Sequence, residues 1–153
     1  MISAQAADDS ADRETLRGIP AFHALAVVNA PDGSSAKAME SSLQTLVELC
    51  LRRDGIGVTD GPGSGPFVVF TVRALLAKGV QSGVDLGYAA TWDFEVRQIV
   101  RTLRGATNYV ATWHWGNYGV GPTNTLERVL TTNLEDGCAK FSNAWLMVNP
   151  KSH

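Results

Sequence analysis

Three long stretches of strict alternation constrain this chain more than anything else in it. Over residues 67–77, Val68, Phe70, Val72, Ala74 and Leu76 alternate with Val69, Thr71, Arg73 and Leu75. Over 86–101, Tyr88, Ala90, Trp92, Phe94, Val96 and Val100 alternate with Thr91, Asp93, Glu95, Arg97 and Arg101. Over 108–116, Tyr109, Ala111, Trp113 and Trp115 alternate with Val110, Thr112 and His114. Successive side chains of a strand point to opposite faces, so a period of two over this length means a sheet with one covered face and one wet face. That one-sided pattern belongs to antiparallel sheets. Leu103-Arg104-Gly105-Ala106 is short enough to close a hairpin between the last two strands. Keeping their apolar sides together sets Glu95 opposite His114 and Arg97 opposite Thr112.

Helices supply the cover. Residues 22–28 (FHALAVV) read as a short strand, stopped by Asn29, Pro31 and Gly33. Ser34 or Ser35 then caps a helix to about Asp54. Along it Met39, Leu43, Leu46, Val47 and Cys50 form one apolar stripe, with Glu40, Gln44, Glu48 and Arg52 towards the other side. Arg52 and Arg53 complement its negative end, and Gly55 stops it. Ile56 and Val58 make a brief strand. The GPGSGP connector over 61–66 is no phosphate loop, because it lacks Gly-Lys-Ser/Thr and leads into a strand. Asn117 through Pro122 reads as a turn, and Thr123 or Asn124 opens a last helix that ends at Pro150. Gly137 in the middle of that helix costs about 1 kcal/mol relative to alanine, which predicts close packing against it. The expected fold is a two-layer α+β domain over 19–150, an antiparallel sheet of about four strands with two helices on one face. Residues 1–18 are expected to be flexible.

Composition removes several function classes. Thirteen basic residues face fifteen acidic ones, for a net charge of −2. A general nucleic-acid binder needs a basic footprint that this chain does not have. No apolar run reaches the roughly 18 residues needed to cross a bilayer. The Ala4-Gln5-Ala6 step before a polar, acidic stretch offers the small residues that signal peptidase accepts, which points to an exported protein. Cys50 and Cys138 are the only cysteines. Each falls in an amphipathic helix, and the two can pair if the compartment is oxidising and the helices are neighbours. No cysteine–histidine spacing suggests zinc, and neither cofactor nor metal is expected.

The residues best placed for recognition or chemistry lie on the outward strand face: Arg73, Asp93, Glu95, Arg97, Thr112 and His114. A Glu95–His114 pair is the carboxylate–imidazole arrangement that prepares a histidine as a base. No serine or cysteine alternates onto that face as a nucleophile, so a polar docking face is the better expectation. Trp113, Trp115 and Tyr118 form the second candidate, since two indoles and a phenol at a strand end can stack a sugar or peptide. The alternative is that the indoles are core. Residues 67–72 (FVVFTV) offer strand addition to a partner or a second copy if they lie on an edge. His23, in an apolar strand, is expected to be a satisfied core or rim residue.

The element order is similar to the small α+β domains of the TolB N-terminal, LpoB and CsgG group of bacterial envelope proteins. Local motifs resemble a set of uncharacterised secreted bacterial proteins. Those motifs are Asp12-Arg13-Glu14-Thr15-Leu16-Arg17-Gly18 and Val47-Glu48-Leu49 through Arg52, Arg53 and Gly55-Ile56. Ala111-Thr112-Trp113 with Gly116 and Gly119, and Phe141 through Asn143-Ala144-Trp145-Leu146 and Val148-Asn149-Pro150, complete them. Cys50 departs from the first-helix motif. The resemblance implies export and fold, and supplies no catalytic residue. The expected role is a non-enzymatic periplasmic or secreted module that binds an envelope protein or associates with itself. Small-molecule or glycan binding at 113–118 is the alternative, and a hydrolase-like activity at Glu95 and His114 comes third.

Overall fold

The computed structural model describes residues 10–30, 33–61, 63, 65–79 and 81–150, with backbone alone for 33–35. The Ala4-Gln5-Ala6 step, the side chains of Ser34 and Ser35, and Pro62 and Ser64 of the GPGSGP connector lie outside the described residues; the helix expected to be capped at Ser34 or Ser35 begins at Gly33. In chain order the elements are α1 (Ser10–Glu14), β1 (Ala21–Asn29), α2 (Gly33–Arg53), β2 (Gly57–Val58), β3 (Phe67–Lys78), β4 (Asp85–Arg101), β5 (Thr107–Gly121) and α3 (Leu126–Val148). A single 3-10 turn over Thr123–Thr125 leads into α3.

The sheet is mixed and five-stranded, in the order β2-β1-β3-β4-β5. This corrects the expected four antiparallel strands. β1 runs parallel to both β2 and β3, while β3–β4 and β4–β5 are antiparallel. Helix α2 carries the chain back across the face between β1 and β3, as a parallel crossover requires. Alternation fixed which side of β3 and β4 is buried, but it carries no information about the direction of β1. Residues 67–72 lie in the middle strand, so the strand-addition reading for that segment does not apply.

One face is sealed by α2 and α3. Phe22, Val68, Phe70, Trp92, Phe94, Val96 and Trp113 pack beneath Leu43, Val47, Leu130, Leu134 and Phe141, all within 2% of full burial. Phe141 sits at the centre, with ring centroids 5.3 Å from Phe22, 5.9 Å from Phe94 and 5.5 Å from Trp113. A Cβ at Gly137 would lie 2.9 Å from the Trp115 ring and 3.2 Å from Phe94 Cβ, so α3 reaches the sheet only because no side chain intervenes. Cys50 of α2 and Cys138 of α3 are joined as a disulfide, Cα atoms 6.3 Å apart. Gly55 ends α2 with φ +80°, and the Ile56 amide returns to the Leu51 carbonyl at 2.9 Å, a Schellman-type stop.

Residues 10–18 are held against the domain; residues 1–9 lie outside the described ones. Leu16 is fully buried. Asn149 Nδ2 donates to the Leu16 carbonyl at 3.0 Å, its Oδ1 accepts from the Gly18 amide at 2.7 Å, and Trp145 Nε1 donates to the Ile19 carbonyl at 2.8 Å. Arg17 bonds Glu14 at 2.7 and 2.8 Å, and that hydrogen bond holds the Glu14 carboxyl below its ordinary value. The motifs that carried the family resemblance at 12–18 and 141–150 therefore meet in space, and what they do there is fasten one end of the fold.

Candidate functional site: the open face of the sheet

No described helix covers the other face of the sheet. Across it run His23, Phe67, Arg97 and Ala111, then Leu25, Val69, Glu95 and His114, then Val27, Thr71, Asp93 and Gly116, then Asn29, Arg73, Thr91 and Tyr118. Three adjacent strands, β3, β4 and β5, thus bring the polar residues expected to share a face, Arg73, Asp93, Glu95, Arg97 and His114, onto one surface.

Their pairing differs from the sequence expectation. Glu95 does lie opposite His114 in register. The His114 ring, however, turns one row along and places Nε2 3.0 Å from Asp93 Oδ1. Asp93 Oδ2 accepts from Arg73 Nη1 at 3.0 Å, so one carboxylate holds a cation from β3 and an imidazole from β5. Glu95 is taken instead by Arg97 on its own strand, with Nη2 at 2.7 Å and Nε at 2.8 Å. The row containing Gly116 leaves the space: a Cβ there would stand 2.5 Å from Asp93 Oδ1 and 3.1 Å from His114 Nε2. The Glu95/His114 base pair of the hydrolase-like reading is therefore not formed.

A bulge between Val96 and Arg97 explains the rest of the disagreement. One extra residue on β5 sets Arg97 opposite Ala111, and from there Tyr109 and Ala111 share the open face rather than the core. Tyr109 packs on Phe67 of that face, centroids 4.7 Å apart. Thr112 falls at the bulge, where its hydroxyl accepts from Gln98 Nε2 at 2.7 Å and its carbonyl from the Thr15 hydroxyl at 3.1 Å.

Trp113 and Trp115 do not form a stacking platform. Both point under α3, 2% and 6% exposed, because their side of β5 is the covered one. Tyr118, on the opposite side of the same strand, is 56% exposed. It lines a shallow groove of about 590 Å³ with Leu75, Ala89, Val120, Thr91, Arg73 and Asn29. Leu75, near the end of β3, and Val120, near the end of the edge strand β5, are 71% and 78% exposed. Residues 117–121 of the expected 117–122 turn are in fact the last third of β5, which runs on to Gly121. Its glycines serve close approach: a Cβ at Gly119 would lie 2.8 Å from Trp92 Cη2. Sequence reasoning missed Leu75, Ala89 and Val120 as surface residues; the one available signal was an aliphatic side chain on the polar phase of an alternating strand.

His23 Nδ1 lies 3.2 Å from the Thr59 carbonyl, as a satisfied rim residue would. Among the described residues no group of three histidine, cysteine or carboxylate side chains converges as metal ligands would, and no helix is long and apolar enough to cross a membrane.

No protein-family model matches the sequence, and no curated protein matches it. Among solved structures, the chain is similar to PelC L103M from Paraburkholderia phytofirmans, a dodecamer, at 16% identity and TM-score 0.41, over 92% of this chain and 96% of that one. It is also similar to rare lipoprotein B from Shewanella oneidensis (13% identity, TM-score 0.36, 81% and 96% covered). A third is a minor lipoprotein from Acinetobacter baumannii (12% identity, TM-score 0.35, 86% and 94% covered). Likeness at this level carries neither an activity nor a partner over to this chain.

Proposed function

We propose that this protein is a non-enzymatic binding or assembly module of the bacterial envelope, exported to the periplasm or beyond, and that its open sheet face is the docking surface. The observation that carries the reading is the groove end of that face, where Leu75 and Val120 stand in solvent beside Tyr118, Arg73 and Asn29. Monomers seldom leave contiguous apolar surface rimmed by polar groups unless something covers it. The Asp93-centred pairing beside the groove supplies fixed charges that set orientation more than affinity. The Cys50–Cys138 bond supports an oxidising compartment, since such bonds persist outside the cytosol.

Native mass spectrometry on oxidised protein exported to a bacterial periplasm tests this. The expected result is a species heavier than the monomer, lost on Leu75→Asp or Val120→Asp and kept on Leu49→Asp, which changes the exposed side of α2. A bare monomer at every concentration, or equal loss in all three variants, contradicts it. A second reading, a small molecule or glycan on Tyr118, is favoured by the polar groups Arg73, Thr91 and Asn29 ringing the same groove. It predicts an added mass of small-molecule size, lost on Tyr118→Ala.

A further inference from the structure

The β4–β5 hairpin extends past the rest of the sheet. β3 begins opposite Arg97, so residues 98–110 form a two-stranded ribbon paired along its length only with itself. At its tip Leu103 is fully exposed, flanked by Arg101 and Arg104, with Ile99, Val100, Tyr109 and Val110 exposed behind. Between Glu95 and Glu127 the sequence contains no acidic residue at all, in a chain that is net negative. Neither Arg101 nor Arg104 has an acidic partner among the described residues, unlike Arg73 and Arg97 in the same sheet. The turn also satisfies much of its own backbone. The Thr102 amide donates to the Ala106 carbonyl at 2.8 Å, the Gly105 amide to the Thr102 carbonyl at 2.9 Å, and the Ala106 amide to the Thr102 hydroxyl at 3.1 Å.

We infer that this tip is a contact for an anionic lipid surface, with Leu103 entering the headgroup region and Arg101 and Arg104 pairing with lipid phosphates. Charge complementarity selects the occupant. Two copies meeting tip to tip would bring four arginines together, and two cations are too few to hold a nucleic acid at physiological salt. A bilayer interface accepts one apolar side chain between cations without needing a matching pocket, and it tolerates backbone that is already hydrogen-bonded. The inference does not depend on what docks at the open face.

The test is co-sedimentation of the intact, oxidised protein with vesicles of phosphatidylglycerol and phosphatidylethanolamine, against vesicles of phosphatidylcholine. Each arginine near an anionic surface is worth about a fivefold gain in partitioning. The Arg101→Gln/Arg104→Gln pair is therefore expected to bind about 25-fold more weakly, and Leu103→Ser to weaken binding as well. Leu49→Ser should bind like the unaltered protein, and circular dichroism should show all variants folded. Binding should also vanish near 1 M salt, where the screening length is about 3 Å. No sedimentation with the anionic vesicles, equal binding to both vesicle types, or equal binding by the tip variants overturns the inference. So does saturable binding to polyglutamate without vesicle binding, which would make an acidic protein the occupant.

Discussion

Trp92 and Trp145 are both buried indoles with opposite polar fates. Trp145 Nε1 donates to the Ile19 carbonyl and thereby holds residues 16–20 to α3. Trp92 Nε1 is buried with no hydrogen-bond partner among the described residues. Replacement by phenylalanine removes comparable volume from each. Only Trp145→Phe also breaks a hydrogen bond and strands a carbonyl, a penalty of about 1–3 kcal/mol, whereas Trp92→Phe removes an unsatisfied donor. Urea unfolding should accordingly show Trp145→Phe to be the more destabilising substitution by about 1–2 kcal/mol; the reverse order would contradict the pairing described here. Neither fate was legible in the sequence, where both tryptophans simply occupied apolar positions. The same holds for Glu40 and Gln44, which fell on the polar side of α2. Gln44 Oε1 accepts from the Ala26 amide at 2.7 Å while its Nε2 donates to the Ala24 carbonyl, and Glu40 accepts from the Val28 amide at 3.0 Å. These side chains stand in for a missing strand and close the β1 edge to partners.

At the scale of elements, alternation was a reliable guide along most of β3 and β4 and misleading in β5 on the hairpin side of the bulge. Face assignments for β3 as far as Ala77, and for β4 from Gly87 to Val96, followed directly from a period of two, because no residue is inserted between those points. A single extra residue at the bulge then inverted Tyr109 and Ala111, and nothing in residue type marks a bulge at that point. Glycine misled in a different way. Gly119 and Gly121 looked like the punctuation of a turn, yet both sit in β5, where an added Cβ would stand 2.8 Å from Trp92 and 3.3 Å from Tyr88 of β4. Helix α1 has five residues and no buried side chain of its own, so periodicity had nothing to register. The two long helices, by contrast, were legible from their stripes, and their cysteines join them across 88 residues of sequence. A native disulfide typically adds about 2–4 kcal/mol, mainly by restraining the unfolded chain. For a chain of this size the Cys50→Ala/Cys138→Ala protein should melt about 5–15 °C lower in calorimetry. Reductant should lower the parent by a similar amount; a melting point indifferent to reductant would show that the bond is not closed.

For the whole molecule, the two sides of the sheet divide the work. The covered side holds the aromatic core, the disulfide and the fastening of residues 10–18 to the end of α3. The motifs behind the family resemblance gather mainly at that fastening. The open side carries the Asp93 pairing and the apolar groove, and it is there that a partner has to fit if this domain acts by binding. Photo-crosslinking in living bacterial cells measures that most directly, with a reactive side chain placed at Val120, at Leu75, or at Leu49 on the opposite surface. The account predicts a discrete crosslinked product from Val120 and Leu75 and none from Leu49, with the Val120 product lost on Leu75→Asp. Products from Leu49 alone, or the same product from all three positions, would place the docking surface elsewhere.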